Sequence, residues 1–165
     1  MAAFVDPYEG MLSFQQTLRQ GILELSPCAT DSNLFVHGDQ PDGMFRLSYA
    51  HVQGHEVTAF ASFVRGASSA SEQRFQVAYA VPVARRNQGR AKAVLRAAIV
   101  EMRQGFAHTK LKALLIGAVV RPDDVAAQRV AATALSQADQ TFIDEATGKP
   151  VLFYSRSFQV TAGSA

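Results

Sequence analysis

The residues best suited to chemistry are Arg86-Asn87-Gln88-Gly89-Arg90-Ala91, which lie between an alternating run, Phe75 to Val83, and a helical run, Ala91 to Met102. A strand that delivers a polar turn whose glycine opens a helix offers unpaired backbone N–H groups at the positive end of a helix dipole. That arrangement suits phosphate. Two other phosphate loops are excluded by inspection: no G-x-x-x-x-G-K-S/T occurs, and no G-x-G-x-x-G follows a strand. What remains is an R/Q-x-x-G-x-G/A turn.

Charge gathers around this turn. The chain carries 16 Lys and Arg against 14 Asp and Glu, a net charge of only +2. Yet Arg85, Arg86, Arg90, Lys92, Arg96, Arg103, Lys110 and Lys112 fall in one stretch whose single acid is Glu101. Such a run fits a solvated helix face, a site for the phosphates of a small cofactor, or a nucleic-acid footprint. The turn favours the cofactor, and nucleic acid is not expected.

Other chemistry-bearing residues are scattered. His37, His51, His55 and His108 lack ligand spacing, so no metal site is expected. Cys28, beside Pro27, has no histidine near it in sequence to activate it as a nucleophile. Tyr79 alternates with core valines and reads as packing; Tyr154 could face either the core or a substrate.

The surrounding elements follow from periodicity. Met11, Phe14, Leu18, Ile22 and Leu25 share one helical face that Ser26-Pro27 would end, although Gly21 inside it costs about 1 kcal/mol against alanine. Residues 26–43 read as a loop around a short apolar piece, Leu34-Phe35-Val36. Met44–Val52 and Val57–Val64 form a hairpin across Gln53-Gly54-His55-Glu56, and 66–71 is the most flexible-looking segment. In the run from Phe75 to Val83, Phe75, Val77, Tyr79, Val81 and Val83 share a face, and Pro82 is unable to donate to a ladder. The helix from Ala91 presents Val94, Leu95, Ala98, Ile99 and Met102. Ala113–Val120 is apolar throughout, as in a strand covered on both faces. Pro122-Asp123-Asp124 starts a second helix with Ala127, Val130, Ala131, Ala134 and Leu135. Thr141–Ile143, a turn at 146–150 and Val151–Phe158 close the chain as an antiparallel hairpin. The sum is a mixed α/β sheet containing one βαβ crossover.

Composition agrees with one globular domain over residues 1–165, an N-terminal part of 1–43 preceding a core of 44–158. Hydrophobic residues make up 48% and charged residues 18% of the 165. No apolar run approaches the roughly 20 residues of a membrane span, and the N-terminus does not resemble a signal peptide. A single cysteine permits no internal disulfide, which suits the cytoplasm.

The order of elements and two motifs resemble the GNAT superfamily of N-acyltransferases. Val81-x-Val83-x-x-Arg86-x-x-Gly89-x-Ala91 is similar to that family's fourth strand running into its third helix. Val120-Arg121-Pro122-Asp123-Asp124-Val125-Ala126-Ala127-Gln128-Arg129-Val130-Ala131 is similar to its fifth-strand end and fourth helix. The resemblance spans about 44–158. It implies a GNAT-type fold with a splayed central parallel strand pair, acetyl-CoA as acyl donor, and a small-molecule or peptide amine as acceptor. A homodimer is left open. The splay would explain Pro82, since a strand end without a neighbour needs no ladder donor. By the same resemblance, backbone near Val81 and Val83 would pair with pantetheine, and the N–H groups of Asn87, Gln88, Gly89, Arg90 and Ala91 would receive the pyrophosphate.

The chain departs from the family where chemistry is expected. Asp124 stands where many members have a CoA-contacting asparagine, and Ala131 where they have a tyrosine acid. The usual glutamate base is missing from the strand, with Glu72 before it and Gln76 inside it. Three functions are therefore carried forward: an acyl-CoA-dependent N-acyltransferase, a catalytically degenerate GNAT-fold protein that binds CoA or a partner, and, behind these, a nucleic-acid-binding module on the Arg85–Lys112 stretch. Ala131→Tyr is the substitution expected to restore the acid.

Overall fold

Eight strands form one mixed sheet in the order β1-β2-β3-β4-β5-β6-β8-β7. The computed structural model describes residues 6–136 and 140–160. In chain order these hold α1 (Pro7–Arg19), β1 (Ser26–Pro27), β2 (Leu34–Asp39), β3 (Arg46–Gln53), β4 (Glu56–Ser68), β5 (Glu72–Ala80), α2 (Arg90–Gly105), β6 (Ala113–Val120), α3 (Val125–Ala134), β7 (Gln140–Ile143) and β8 (Pro150–Gln159). The chain divides into two compact units, one of residues 6–64 and 78–102, the other of the remaining described residues.

In the first unit, β2, β3 and β4 run antiparallel and α1 packs on them. Asp6 starts α1 by accepting from the Tyr8 N–H at 3.0 Å, with Pro7 tolerated in the first turn. The helix buries Met11 and Phe14 against Ala50, Val52, Val57 and Phe60, the two phenyl rings 5.3 Å apart. Gln15 adds a polar tie, donating to the His55 carbonyl at 2.9 Å and accepting from the Val57 N–H at 2.6 Å.

The helix ends earlier than its apolar stripe suggests. Gly21 adopts φ +72°; its N–H bonds the Leu18 carbonyl, and that of Ile22 bonds Thr17. This is a Schellman stop, which glycine allows without the steric cost of a Cβ. Ile22 is consequently 68% exposed, while Leu25 packs on the core from outside the helix.

The stretch read as a loop contains β1 and β2. All six residues of β2 pair with β3, from Leu34↔His51 to Asp39↔Arg46, and that ladder overrides the turn-rich composition. Helix α2 buries Val94, Leu95, Ala98, Ile99 and Met102 as its periodicity predicts. From its outer side Glu101 reaches Ala29 and Thr30, accepting from their N–H groups at 2.8 and 3.1 Å and from the Thr30 hydroxyl at 2.6 Å.

In the second unit β5 and β6 are parallel, from Glu72↔Ala113 to Val77↔Ala118, and β8 pairs β6 antiparallel along its whole length. β7 completes the terminal hairpin. Residues 66–68, which look flexible in sequence, extend β4. The buried Gln73 side chain donates to the Gly66 carbonyl at 3.0 Å and to that of Arg74 at 2.8 Å, and so stitches the segment down. Gly117 in β6 lies beneath Phe153, where an added Cβ would stand 2.7 Å from the ring.

Two outcomes follow. Gly117→Ala should lower unfolding free energy in urea by about 1–3 kcal/mol, because the Phe153 ring must move off its seat. Phe153→Leu in that background should recover part of the loss, and full stability in the single variant would refute the close approach. Burial works against the Glu101 charge, but the bonds from Thr30 and Ala29 outweigh it and hold its pKa below the ordinary 4.5. A depressed folded pKa gives stability that is present above the unfolded value and lost as pH falls through the folded one. Stability measured from pH 6 downward should therefore fall more steeply in the parent than in Glu101→Gln.

Candidate functional site

The polar turn is built by a change of backbone hand. Strand β5 stops at Ala80, so Val81 and Val83 lie beyond the strand, contrary to the expectation from their alternation. Pro82, at φ −54° and ψ 146°, leads a single 3-10 turn over Val83–Arg85, and the Arg85 N–H closes on the Pro82 carbonyl at 2.8 Å. Proline sits here because this position accepts a bond and has no ladder to feed. Val83 is 65% exposed.

After Arg86 the chain alternates. Asn87 has φ +62° and Gly89 φ +72°, with no positive φ at Gln88 between them. Asparagine tolerates this region and glycine adopts it freely. Alternation of hand is the backbone pattern in which successive N–H groups can turn toward one side. Gly89 then opens α2, its carbonyl accepting from the Ala93 N–H at 3.1 Å. The contrast with the other helices is chemical. Asp6 caps α1 and Asp124 caps α3, whereas α2 starts from a residue with no side chain and has no acid in its first turn. A helix start of this kind is chemically suited to an anion.

Side chains fix the turn from both flanks. Arg86 donates from Nε to the Val81 carbonyl at 3.2 Å, and its guanidinium lies 5.5 Å from the centre of the Tyr8 ring. Arg85 pairs with Glu56 at 3.5 Å, and Arg90 Nε donates to the Gln88 side chain at 2.9 Å. The cation–π contact with Tyr8 has no sequence signature, because the partners lie far apart in the chain.

Val81, Val83, Arg86, Asn87, Gln88, Gly89, Arg90 and Ala91 thus form one continuous feature of the first unit. Asp124 belongs to the second unit, where its carboxylate accepts from the Ala127 N–H at 3.0 Å and serves α3 as a cap. Ala131, which the sequence resemblance sets against a tyrosine acid, is 0% exposed. A tyrosine there would have to displace packed neighbours, so Ala131→Tyr does not simply restore an acid.

The remaining candidates are mostly structural. Cys28 is buried, and burial, with Glu101 and Asp31 nearby, pushes its thiol up to about 12. It is no thiolate at neutral pH. Tyr79 is buried, as packing predicts, and so is Tyr154, whose hydroxyl pKa is raised by desolvation. His51 meets Asp31 at 2.8 Å and His37 meets the Glu24 carbonyl at 2.9 Å. Among the described residues, no three His, Cys, Asp or Glu cluster as metal ligands would.

Comparison with known proteins gives a fold. No family model matches the chain, and no curated protein does. Solved structures do match. RimL, a ribosomal L7/L12 alpha-N-protein acetyltransferase, aligns in its apo form at TM-score 0.55 and 16% identity over 84% of this chain and 99% of that one. A putative GNAT-family acetyltransferase from Desulfovibrio desulfuricans aligns at TM-score 0.52 and 14% identity over 70% of each chain. RimL in complex with coenzyme A aligns at TM-score 0.51 and 15% identity over 72% of this chain, which spans 64% of that enzyme. With its parallel β5–β6 pair, α2 entered through a phosphate-type turn and the antiparallel β7–β8 close, the chain has the fold of the GNAT N-acetyltransferases.

Proposed function

We propose that this protein is an acyl-CoA-dependent N-acyltransferase, moving an acetyl group from acetyl-CoA directly to an amine. The observation that carries the reading is the turn of alternating hand at Asn87 and Gly89, opening a helix that has no acid in its first turn. The N–H groups of residues 87–91 receive the pyrophosphate, and Arg86 and Arg90 add positive charge beside it. Backbone at Val81 and Val83 pairs with the pantetheine arm, whose amide takes over the Val81 carbonyl from Arg86. The bound molecule supplies the activated thioester; this chain's part is to orient it and exclude water.

Proton transfer falls to the reactants. With Ala131 buried, the departing thiolate leaves without help from α3, as its low basicity allows. The acceptor attacks as free amine. The single, buried cysteine suits a cytoplasmic setting.

One pair of observations favours a second reading, a protein that binds CoA without turnover: the fully buried Ala131 and the use of Asp124 as a helix cap. A panel of amines and acyl-CoAs decides between the two. CoA binding with no transfer would select the binding protein and leave the fold intact.

Free CoA at 100 times its dissociation constant should stabilise the protein by about 2.7 kcal/mol in a thermal-shift measurement. Gly89→Glu puts a carboxylate at the turn and should abolish that shift. The left-handed residue costs about 1–2 kcal/mol, which the fold survives. An undiminished shift would refute the loop assignment. In the active enzyme, rate should rise with pH until the acceptor amine has lost its own proton. Duplex DNA should bind weakly at physiological salt; a submicromolar complex losing about 0.9 log units per phosphate contact per decade of salt would contradict the reading.

A further inference from the structure

The Arg86 side chain occupies the same backbone edge on which the cofactor reading depends. Strand β5 ends at Ala80, so the Val81 carbonyl lies past the ladder, and Arg86 Nε donates to it at 3.2 Å. An exposed side chain thus folds back across five positions of its own chain. Its guanidinium also lies 5.5 Å from the centre of the Tyr8 ring. Tyr8 is held in turn. Its N–H bonds the Asp6 carboxylate at 3.0 Å, and it packs against the cluster of Met11, Phe14 and Phe60 that Ala80 also meets. Tyr8, Val81 and Arg86 all belong to the first compact unit.

The partners of Arg86 are neutral. Neighbouring Arg85 pairs with Glu56 at 3.5 Å, but among the described residues no carboxylate pairs with Arg86. Its charge is met by a carbonyl dipole and a ring face. A phosphate offers the guanidinium a charge-assisted bond about twice as strong as one to a neutral acceptor. An amide that came to Val81 without a phosphate would have to displace Arg86 with nothing given in return. A site that is covered in part of the free molecules binds more weakly by the fraction that is open. Discrimination of this kind comes from an obstacle to the wrong ligand as well as from contacts to the right one.

We infer that Arg86 is a specificity-determining residue that makes use of the Val81 edge conditional on phosphate: it covers the edge in the free protein, goes over to the pyrophosphate of a CoA-type carrier, and so disfavours pantetheine carriers that lack one. Tyr8 is a positioning residue, holding the guanidinium over the edge until phosphate draws it off. The inference rests on the reading of this turn as a CoA site.

Calorimetry on the full chain with CoA and with pantetheine, which carries no phosphate, provides the test. Arg86→Ala should bind pantetheine about three- to tenfold tighter than the parent does, and CoA no tighter. The opposite senses are diagnostic. Loss of a residue that only shaped the turn would weaken both ligands, and loss of one that only met phosphate would leave pantetheine unchanged. Tyr8→Leu keeps Arg86 for the phosphate but removes the ring, so both ligands should tighten by about threefold. Tyr8→Phe keeps the ring and should match the parent. Pantetheine affinity that Arg86→Ala leaves unchanged or lowers, undetectable binding in both proteins included, would overturn the inference. CoA tightening as much as pantetheine in that variant would do the same. Affinities unmoved or weakened in Tyr8→Leu would remove the role of Tyr8. A parent with no CoA thermal shift would overturn the inference through the reading beneath it.

Discussion

The backbone N–H groups at the start of α2 are the constraint around which the first unit is arranged. A helix leaves its first N–H groups without internal partners, and a protein satisfies them with a side chain, water or a ligand. α1 and α3 take the first course through Asp6 and Asp124. α2 begins instead at Gly89, preceded by left-handed Asn87 and surrounded by Arg85, Arg86, Arg90 and Lys92. Gathering cations at the positive end of a helix dipole is unfavourable in itself. A bound anion, as proposed, would offset that cost. The stop of β5 at Ala80, the 3-10 turn after Pro82 and the tie from Arg86 to Val81 serve to present this end of the helix.

On the proposed reading, cradle and chemistry separate. The residues proposed to receive a pyrophosphate lie in one short segment, whereas Ala131, set by resemblance against a tyrosine acid, is buried. That division is physically reasonable. Orientation of a reactive thioester against an amine can supply a large part of a transfer barrier, while an acid on the leaving group matters less for a thiolate than for an alkoxide.

Much of this was legible, and the exceptions share a cause. Ala113–Val120 is β6 with the bounds its apolar run suggests, and the buried stripe of α2 matches its 3.6-residue period. Both are elements whose packing faces are continuous in sequence. Periodicity failed where a single residue's backbone state decided the matter: Ile22 and Leu25 continue the spacing of α1, but Gly21 had already ended the helix. The same holds for Val81 and Val83, in phase with β5 yet past its end. β2 was hidden for a different reason, since a strand crowded by turn residues is made by its partner β3. At the site, the R/Q-x-x-G-x-G/A pattern gave the position of the turn; the left-handed Asn87 and the stacking of Arg86 on Tyr8 are tertiary facts.

Both compact units are discontinuous along the chain. The first needs residues 6–64 together with 78–102, and the second needs 65–77 together with the residues after 102. The Glu101 clamp on Thr30 spans 71 positions of sequence, so its closure waits on a long chain loop. A ribosome delivering this protein from its N-terminus must release α2 before the meander of β2, β3 and β4 can gain that support. A fragment ending at Met102 holds the first unit whole but carries residues 65–77 of the second with it, so no single cut of the chain separates one unit from the other.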